Sequence, residues 1–142
     1  MFVLDTDHLS VLEWADNSAP RRLLQRLSRI SPEEATTTII TFEEQMRGWL
    51  AYLSRARTLA QQVEAYRRLK RHLDNYRAIA VLDFDLRAAT EFQRLRKRYH
   101  TLGAMDLKIA AIVLVHDATL LSRNLTDFRK ISGLKVEDWT LE

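Results

Sequence analysis

The spacing of apolar positions changes several times along the chain, and each change marks an element. Phe2-Val3-Leu4 is a short apolar run closed by Asp5, the pattern of a buried first strand with a carboxylate at its C-terminal end. Leu9 to Trp14 predicts a short helix, Asp16-Asn17-Ser18 a loop, and Pro20 followed by Leu23, Leu24 and Leu27 a second short helix. Ser31-Pro32-Glu33-Glu34 breaks the chain, and Thr36 to Thr41, β-branched throughout, predicts a second strand. Phe42, Met46, Trp49, Leu50 and Leu53 then share a helical stripe, and Leu59, Val63, Tyr66, Leu69 and Leu73 continue as one long polar helix or a helical pair. Further on, Ile79 to Leu82 predicts a third strand, Asp85 to Tyr99 a helix, and His100 to Gly103 a loop. Met105 to His116 predicts a mostly apolar, buried helix, Thr119 to Ser122 a fourth strand and Leu134 to Trp139 a fifth.

Strands alternating with helices predict an α/β fold, with a mainly parallel central sheet of about four to five strands flanked by helices. Such sheets bind ligands beyond the carboxyl ends of their strands. At 142 residues the chain fits a single domain, 1–142, and no repeat, low-complexity segment or Gly/Ser/Pro-rich linker divides it. With no Cys, disulfides, thiolate zinc sites and a cysteine nucleophile are excluded, and a reducing compartment, the cytoplasm, is expected. Asp5 and Asp7 fall where a signal peptide needs basic and then apolar residues, so none is expected. The longest apolar run, Ile109 to Val115, is far short of the roughly 18 residues of a membrane span. The formal charge is only +3, but Arg67-Arg68-Leu69-Lys70-Arg71 and Arg94-Leu95-Arg96-Lys97-Arg98 concentrate the basic residues. Each cluster reads either as a solvated helix face or as a surface for phosphate.

The acids are more informative than the bases. Asp5 ends the first strand, Glu43-Glu44 begin the helix after the second, Asp106 opens the apolar helix, and Asp127 lies just beyond the fourth strand. On a helix Asp106 shares a stripe with Ile109, Ala110 and Val113. An ionised carboxylate on such a core-facing stripe is costly unless a cation or hydrogen-bond donors compensate it. Taken singly, Asp106 and the Glu pair also read as partners of a helix dipole, and Asp127 as a helix cap. Their joint placement at one sheet edge favours a site. Hard divalent cations prefer oxygen ligands and are commonly held by a few carboxylates together with substrate phosphate. Crowded acids repel one another, so their pKa values rise without metal and metal affinity weakens in acid. His8, His72, His100 and His116 show no zinc spacing and read as structural or surface residues.

Several stretches of the chain share one pattern. It begins at Phe2-Val3-Leu4-Asp5-Thr6-Asp7 and continues at Ile40-Thr41-Phe42-Glu43-Glu44-Gln45-Met46-Arg47-Gly48. It is most specific at Gly103-Ala104-Met105-Asp106-Leu107-Lys108-Ile109-Ala110-Ala111, then at Ala118-Thr119-Leu120-Leu121-Ser122-Arg123-Asn124-Leu125-Thr126-Asp127-Phe128, and finally at Gly133-Leu134-Lys135-Val136-Glu137-Asp138-Trp139. In this order and spacing, over nearly its whole length, the chain resembles the VapC group of PIN-domain toxins. The resemblance implies metal-binding acids at Asp5, Glu44 and Asp106, a fourth at Asp127, and a polar contribution from Asn124. It further implies Mg²⁺ or Mn²⁺ dependence, cleavage of RNA in the bacterial cytoplasm, neutralisation by a cognate antitoxin protein, and a homodimer. Asp7 stands where the family usually has Asn, adding charge and an auxiliary ligand, and Ser122 stands where Thr is common, retaining a hydroxyl. Helical geometry draws Glu43 toward the Phe42 stripe, whereas the family's spacing to Gly48 selects Glu44. Glu44, Gly48, Ala51 and Arg55 form a second stripe whose small middle residues allow close approach of another element.

These observations together predict an endoribonuclease whose carboxylates hold metal that activates water for attack on an RNA phosphodiester. Two other readings stay open. A non-catalytic RNA-binding or interaction module of the same fold would use the basic helices and leave the acids structural. A phosphatase of the haloacid-dehalogenase type is resembled only at Leu4-Asp5-Thr6-Asp7, since that family's Asp-Asp pair and loop lysine have no convincing match.

Overall fold

The computed structural model describes residues 1–13 and 18–141. Five strands, β1 (Phe2–Leu4), β2 (Ala35–Thr38), β3 (Ala80–Leu82), β4 (Thr119–Leu121) and β5 (Lys135–Glu137), form one sheet in the order β3-β2-β1-β4-β5. Every neighbouring pair is parallel, as the alternation of strand and helix patterns requires. The helices that flank the sheet are α1 (Thr6–Glu13), α2 (Ser18–Leu27), α3 (Ile39–Ser54), α4 (Leu59–Arg77), α5 (Leu86–Arg98), α6 (Ala104–Val115) and α7 (Leu125–Phe128). Trp14, Asp16 and Asn17, at the end of the first expected helix and in the loop after it, lie outside the described residues.

The chain moves outward from the central strand β1 through β2 to β3, then returns to lay β4 on the other side of β1. The carboxyl ends of β1 and β4 are therefore the topological switch point, where diverging connections leave a crevice. Side chains alternate across these two strands as the pleat demands. Val3 and Leu120 enter one core with Ile109 to Val113 of α6, while Leu4 and Leu121 enter the other with Leu23 and Trp139. Five consecutive residues of α6 are fully buried. Each large aliphatic among them contributes about 1.5–3 kcal/mol by leaving water.

The second strand is shorter than Thr36 to Thr41. It ends at Thr38, whose backbone is still extended and whose Oγ1 accepts the Thr41 N–H at 3.0 Å, so Ile39, Ile40 and Thr41 form the first turn of α3. Strand propensity yields here because it is a weak preference, whereas the cap satisfies an orphan donor and Ile40 enters the core. The buried hydroxyls of Thr36 and Thr37 donate to the carbonyls of Phe2 and Leu4 at 3.0 and 2.8 Å, which makes a polar strand compatible with the interior.

The polar helical stretch after Phe42 is a pair of helices. Thr58 caps α4, its Oγ1 accepting the Gln61 N–H at 3.1 Å while Gln61 Oε1 accepts the Thr58 N–H at 3.2 Å. The Phe42 stripe faces α4 through an aromatic cluster in which Phe42 stacks on His72 and meets Tyr76 edge-on. Among the described residues no helix is long and apolar enough to cross a membrane.

Thr38→Ala removes the α3 cap from a buried position and is expected to lower unfolding stability by about 1–2 kcal/mol, whereas Thr38→Ser retains most of it. Urea titration of both variants checks this, and equal loss in the two would show that the hydroxyl does not cap the helix.

Candidate metal centre at the sheet edge

β1 delivers Asp5 to the crevice as a buried carboxylate, only 7% exposed. Both of its oxygens are held. Oδ1 accepts the Thr6 N–H at 2.8 Å, and Oδ2 accepts the Ser122 hydroxyl, delivered by the end of β4, at 2.8 Å. Burial, the neighbouring Asp7 and, less strongly, Glu44 push the Asp5 carboxyl up to about 7, against the lowering influence of these two hydrogen bonds. The acid is thus restrained in position yet poorly compensated in charge.

Glu44, on the second turn of α3, reaches the same edge, where its Oε2 accepts the Thr6 hydroxyl at 3.3 Å. Its carboxyl is raised by partial burial and then by Asp106. Glu43 turns away and pairs with Arg47 one helical turn on. Asp106, in the first turn of α6, is half-buried and also raised, by burial and then by Asp127 and Asp7. The mates of Asp106 on its stripe, Ile109, Ala110 and Val113, are fully buried. Asp127, in α7, sits at the rim, with Oδ2 3.3 Å from the Asn124 amide and Oδ1 3.5 Å from Lys130 Nζ.

Five carboxylates from β1, α1, α3, α6 and α7 therefore share one electrostatic neighbourhood. Among the described residues no three of them are already arranged around a single point as a metal cage. The donors are all oxygen, and the unrelieved repulsion among them suits a hard divalent cation. By these two criteria the residues fit such an ion.

Sequence reasoning missed two contributors. Thr6 bridges the site, its backbone holding Asp5 and its hydroxyl Glu44. His8, fully buried, accepts the Trp139 N–H at Nε2 (3.1 Å), so its proton lies on Nδ1, 2.8 Å from Asp7 Oδ1. The other oxygen of Asp7 accepts the Arg123 N–H at 3.0 Å and lies 3.3 Å from the Ser122 hydroxyl. His8 is structural, as its lack of zinc spacing indicates, but what it holds is an acid of the cluster. The available signal is its position directly after Asp7 on a helix that must pack against the sheet.

The close approach that the Glu44, Gly48, Ala51 and Arg55 stripe allows does not occur at Gly48. A Cβ built on Gly48 meets nothing within 4 Å. Part of each basic cluster is paired within its own helix, Arg67 and Arg68 with Glu64 and Lys70 with Asp74 in the first and Arg94 with Glu91 in the second, while Arg96, Lys97 and Arg98 stand exposed.

A parallel α/β sheet with acids gathered at its switch point defines the class of protein, and the comparison of sequences agrees. Residues 2–134 match the model of the PIN domain, and the chain belongs to that family. Its fold is similar to that of FitAcB from Neisseria gonorrhoeae, at a TM-score of 0.76 and 21% identity over 98% of each chain. It is also similar to VapBC2 from Rickettsia felis, solved bound to a DNA fragment from its promoter, at a TM-score of 0.71 and 20% identity, covering 97% of this chain and 98% of that one. A toxin–antitoxin complex from Klebsiella pneumoniae matches at a TM-score of 0.64 and 24% identity over 98% of each chain. No protein with a curated description matches the sequence.

The raised Asp5 pKa fixes a sign for pH dependence. In the metal-free protein Asp5 binds its proton more tightly folded than unfolded, so its contribution to stability is present in acid and is lost as pH rises from about 4 through about 7. Asp5→Asn is expected to flatten this dependence and to stabilise the metal-free protein at pH 8 by a few kcal/mol. Thermal unfolding of both proteins across that range checks it, and a wild type that grows more stable over the same interval would contradict it.

Proposed function

We propose that the chain is a metal-dependent endoribonuclease, the toxin of a VapBC-type toxin–antitoxin module. The observation that supports this best is Asp5: a buried acid, fixed by two hydrogen bonds and raised by like charges, at the end of the central strand of a PIN domain. A site that concentrates uncompensated negative charge has use for a divalent cation. Asp5, Glu44 and Asp106 would hold Mg²⁺ or Mn²⁺, with Asp127 completing the set from the rim and Asp7 auxiliary.

When bound, such an ion lowers the pKa of water and neutralises charge developing on a phosphoryl group. The protein's own residues do the rest. Thr6 and Ser122 keep Asp5 from rotating, Thr6 orients Glu44, and Asn124, whose backbone N–H donates to Ser122 Oγ at 3.0 Å and whose side chain meets Asp127, ties the rim to the floor. Exposed bases such as Arg96, Lys97 and Arg98 in the last turn of α5 supply non-specific attraction for RNA. The toxin–antitoxin assemblies of similar fold support a cognate antitoxin as the protein partner; a homodimer and action in the cytoplasm belong to the same proposal.

Purified protein is expected to cut single-stranded RNA with Mg²⁺ or Mn²⁺ and not with chelator. Asp5→Asn and Asp106→Asn should each lower the rate at least ~100-fold, since loss even of an outer partner of a metal ligand commonly costs 10–100-fold. Cleavage by both variants at the wild-type rate would refute the assignment, and RNA binding without metal-dependent cutting would favour the non-catalytic module. Divalent cation at a hundred times its dissociation constant should stabilise the wild type by about 2.7 kcal/mol, and Asp106→Asn far less, measured by thermal shift.

A further inference from the structure

Asp7, in the first turn of α1, stands between two N–H groups aimed at different oxygens. The Nδ1–H of His8 meets Oδ1 at 2.8 Å, and the Arg123 N–H, from the turn after β4, meets Oδ2 at 3.0 Å. Both oxygens must therefore accept, which a carboxylate does on each side and an amide on only one. The donor on His8 is fixed from behind. Its Nε2 accepts the Trp139 N–H at 3.1 Å, which leaves the one ring proton at Nδ1. Asp138, 3.7 Å from Nε2, is beyond hydrogen-bonding reach and accepts the Thr140 N–H at 2.8 Å instead. The segment behind the ring is itself anchored. Trp139 packs on Phe2 with ring centroids 4.7 Å apart and lies under the Arg26 guanidinium, and the Thr140 carbonyl accepts from Arg22 at 2.6 Å. His8 is fully buried, so both of its bonds are made away from water, where they are strongest.

We propose that His8 is a positioning residue of the metal centre: steered by the Trp139 N–H, its own N–H holds the Asp7 carboxylate in the acid cluster, and so sets how tightly a divalent cation is bound. The inference rests on the metal-dependent reading above and adds to it a residue that touches neither cation nor substrate. One hydroxyl shows why the orientation of Asp7 matters. Ser122 Oγ lies 2.8 Å from Asp5 Oδ2 and 3.3 Å from Asp7 Oδ2, so a carboxylate fixed at position 7 has a fixed place beside Asp5. Its charge is felt at Asp5 and at Asp106, whose carboxyls it raises. An Asp7 free to rotate would spread that charge toward solvent, where water screens it. Partners that orient the groups around a metal commonly change its affinity 10–100-fold when they are lost.

Two substitutions divide the work of the two ring nitrogens. His8→Asn puts an amide N–H in the place of Nδ1 and keeps the donor for Asp7, but orphans the buried Trp139 N–H. His8→Gln puts an amide oxygen near the place of Nε2 and keeps the acceptor for Trp139, but withdraws the donor from Asp7. Mn²⁺ alone is titrated into each protein, with the free ion counted by its paramagnetic resonance signal, and thermal unfolding without metal is measured alongside. His8→Asn is expected to be the less stable variant and yet to bind Mn²⁺ within about 3-fold of wild type, whereas His8→Gln, the more stable, binds at least roughly 10-fold more weakly. Asp7→Asn should weaken binding by a similar factor, and adding His8→Gln to it should cost little more, because the two act through one bond. Affinity that follows stability, with His8→Asn the weaker binder, overturns the proposal and leaves His8 a residue of the fold alone. A full further loss when His8→Gln is added to Asp7→Asn overturns it too, and this comparison decides the matter even where His8→Asn does not fold. A wild type that binds Mn²⁺ but cuts no RNA ends the nuclease reading alone, since the affinities still judge His8, whereas a wild type that takes up no Mn²⁺ ends both.

Discussion

The structure turns on a carboxylate in the wrong solvent. Asp5 ends the central strand with little exposure to water, and a charged group taken from water without a partner is among the costliest features a fold can carry. Much around it answers that cost or exploits it. The Thr6 N–H and the Ser122 hydroxyl give Asp5 what neutral donors can give, and they lower its pKa, but burial and two neighbouring acids raise it further than they lower it. The imbalance is local and of one sign and grows as Asp5 loses its proton, which is the condition under which a cation gains most by arriving.

The rest of the fold supplies rigidity to that imbalance. Very short strands define the crevice, and they are held by side chains as well as by the ladder: threonine hydroxyls of β2 tie its backbone to β1, and Thr38 turns the chain into α3 in time for Glu44 to reach the edge. From the other side His8 joins Asp7 to the backbone after β5, so the C-terminal segment braces an acid at the N-terminal end of the chain. Acids from distant parts of the sequence are therefore aimed by elements that pack in two separate cores, one on each face of the sheet.

Much of this is legible in residue patterns. The parallel sheet follows from strands alternating with helices, the burial of α6 from its uniformly apolar composition, and the placing of Asp5 and Asp106 from runs that end or begin at them. Other features are illegible for identifiable reasons. The end of β2 comes earlier than its pattern suggests because Ile39, Ile40 and Thr41 have strand propensity while one hydroxyl just before them decides for helix. The basic clusters have the look of open phosphate surfaces, but acids one helical turn away pair with Arg67, Arg68, Lys70 and Arg94. Gly48 has the look of a point of close helix contact, and the space beside it is open.

What the sequence determined by itself is what depends on near neighbours: periods of burial, caps, the class of fold, and the positions at which acids interrupt apolar runs. Only the tertiary structure decided which of those acids feel one another, which of Glu43 and Glu44 turns inward, and which tautomer of His8 holds Asp7. These depend on groups separated by as many as 131 residues, and electrostatic coupling and hydrogen-bond geometry act over a few ångströms of space whatever the distance along the chain.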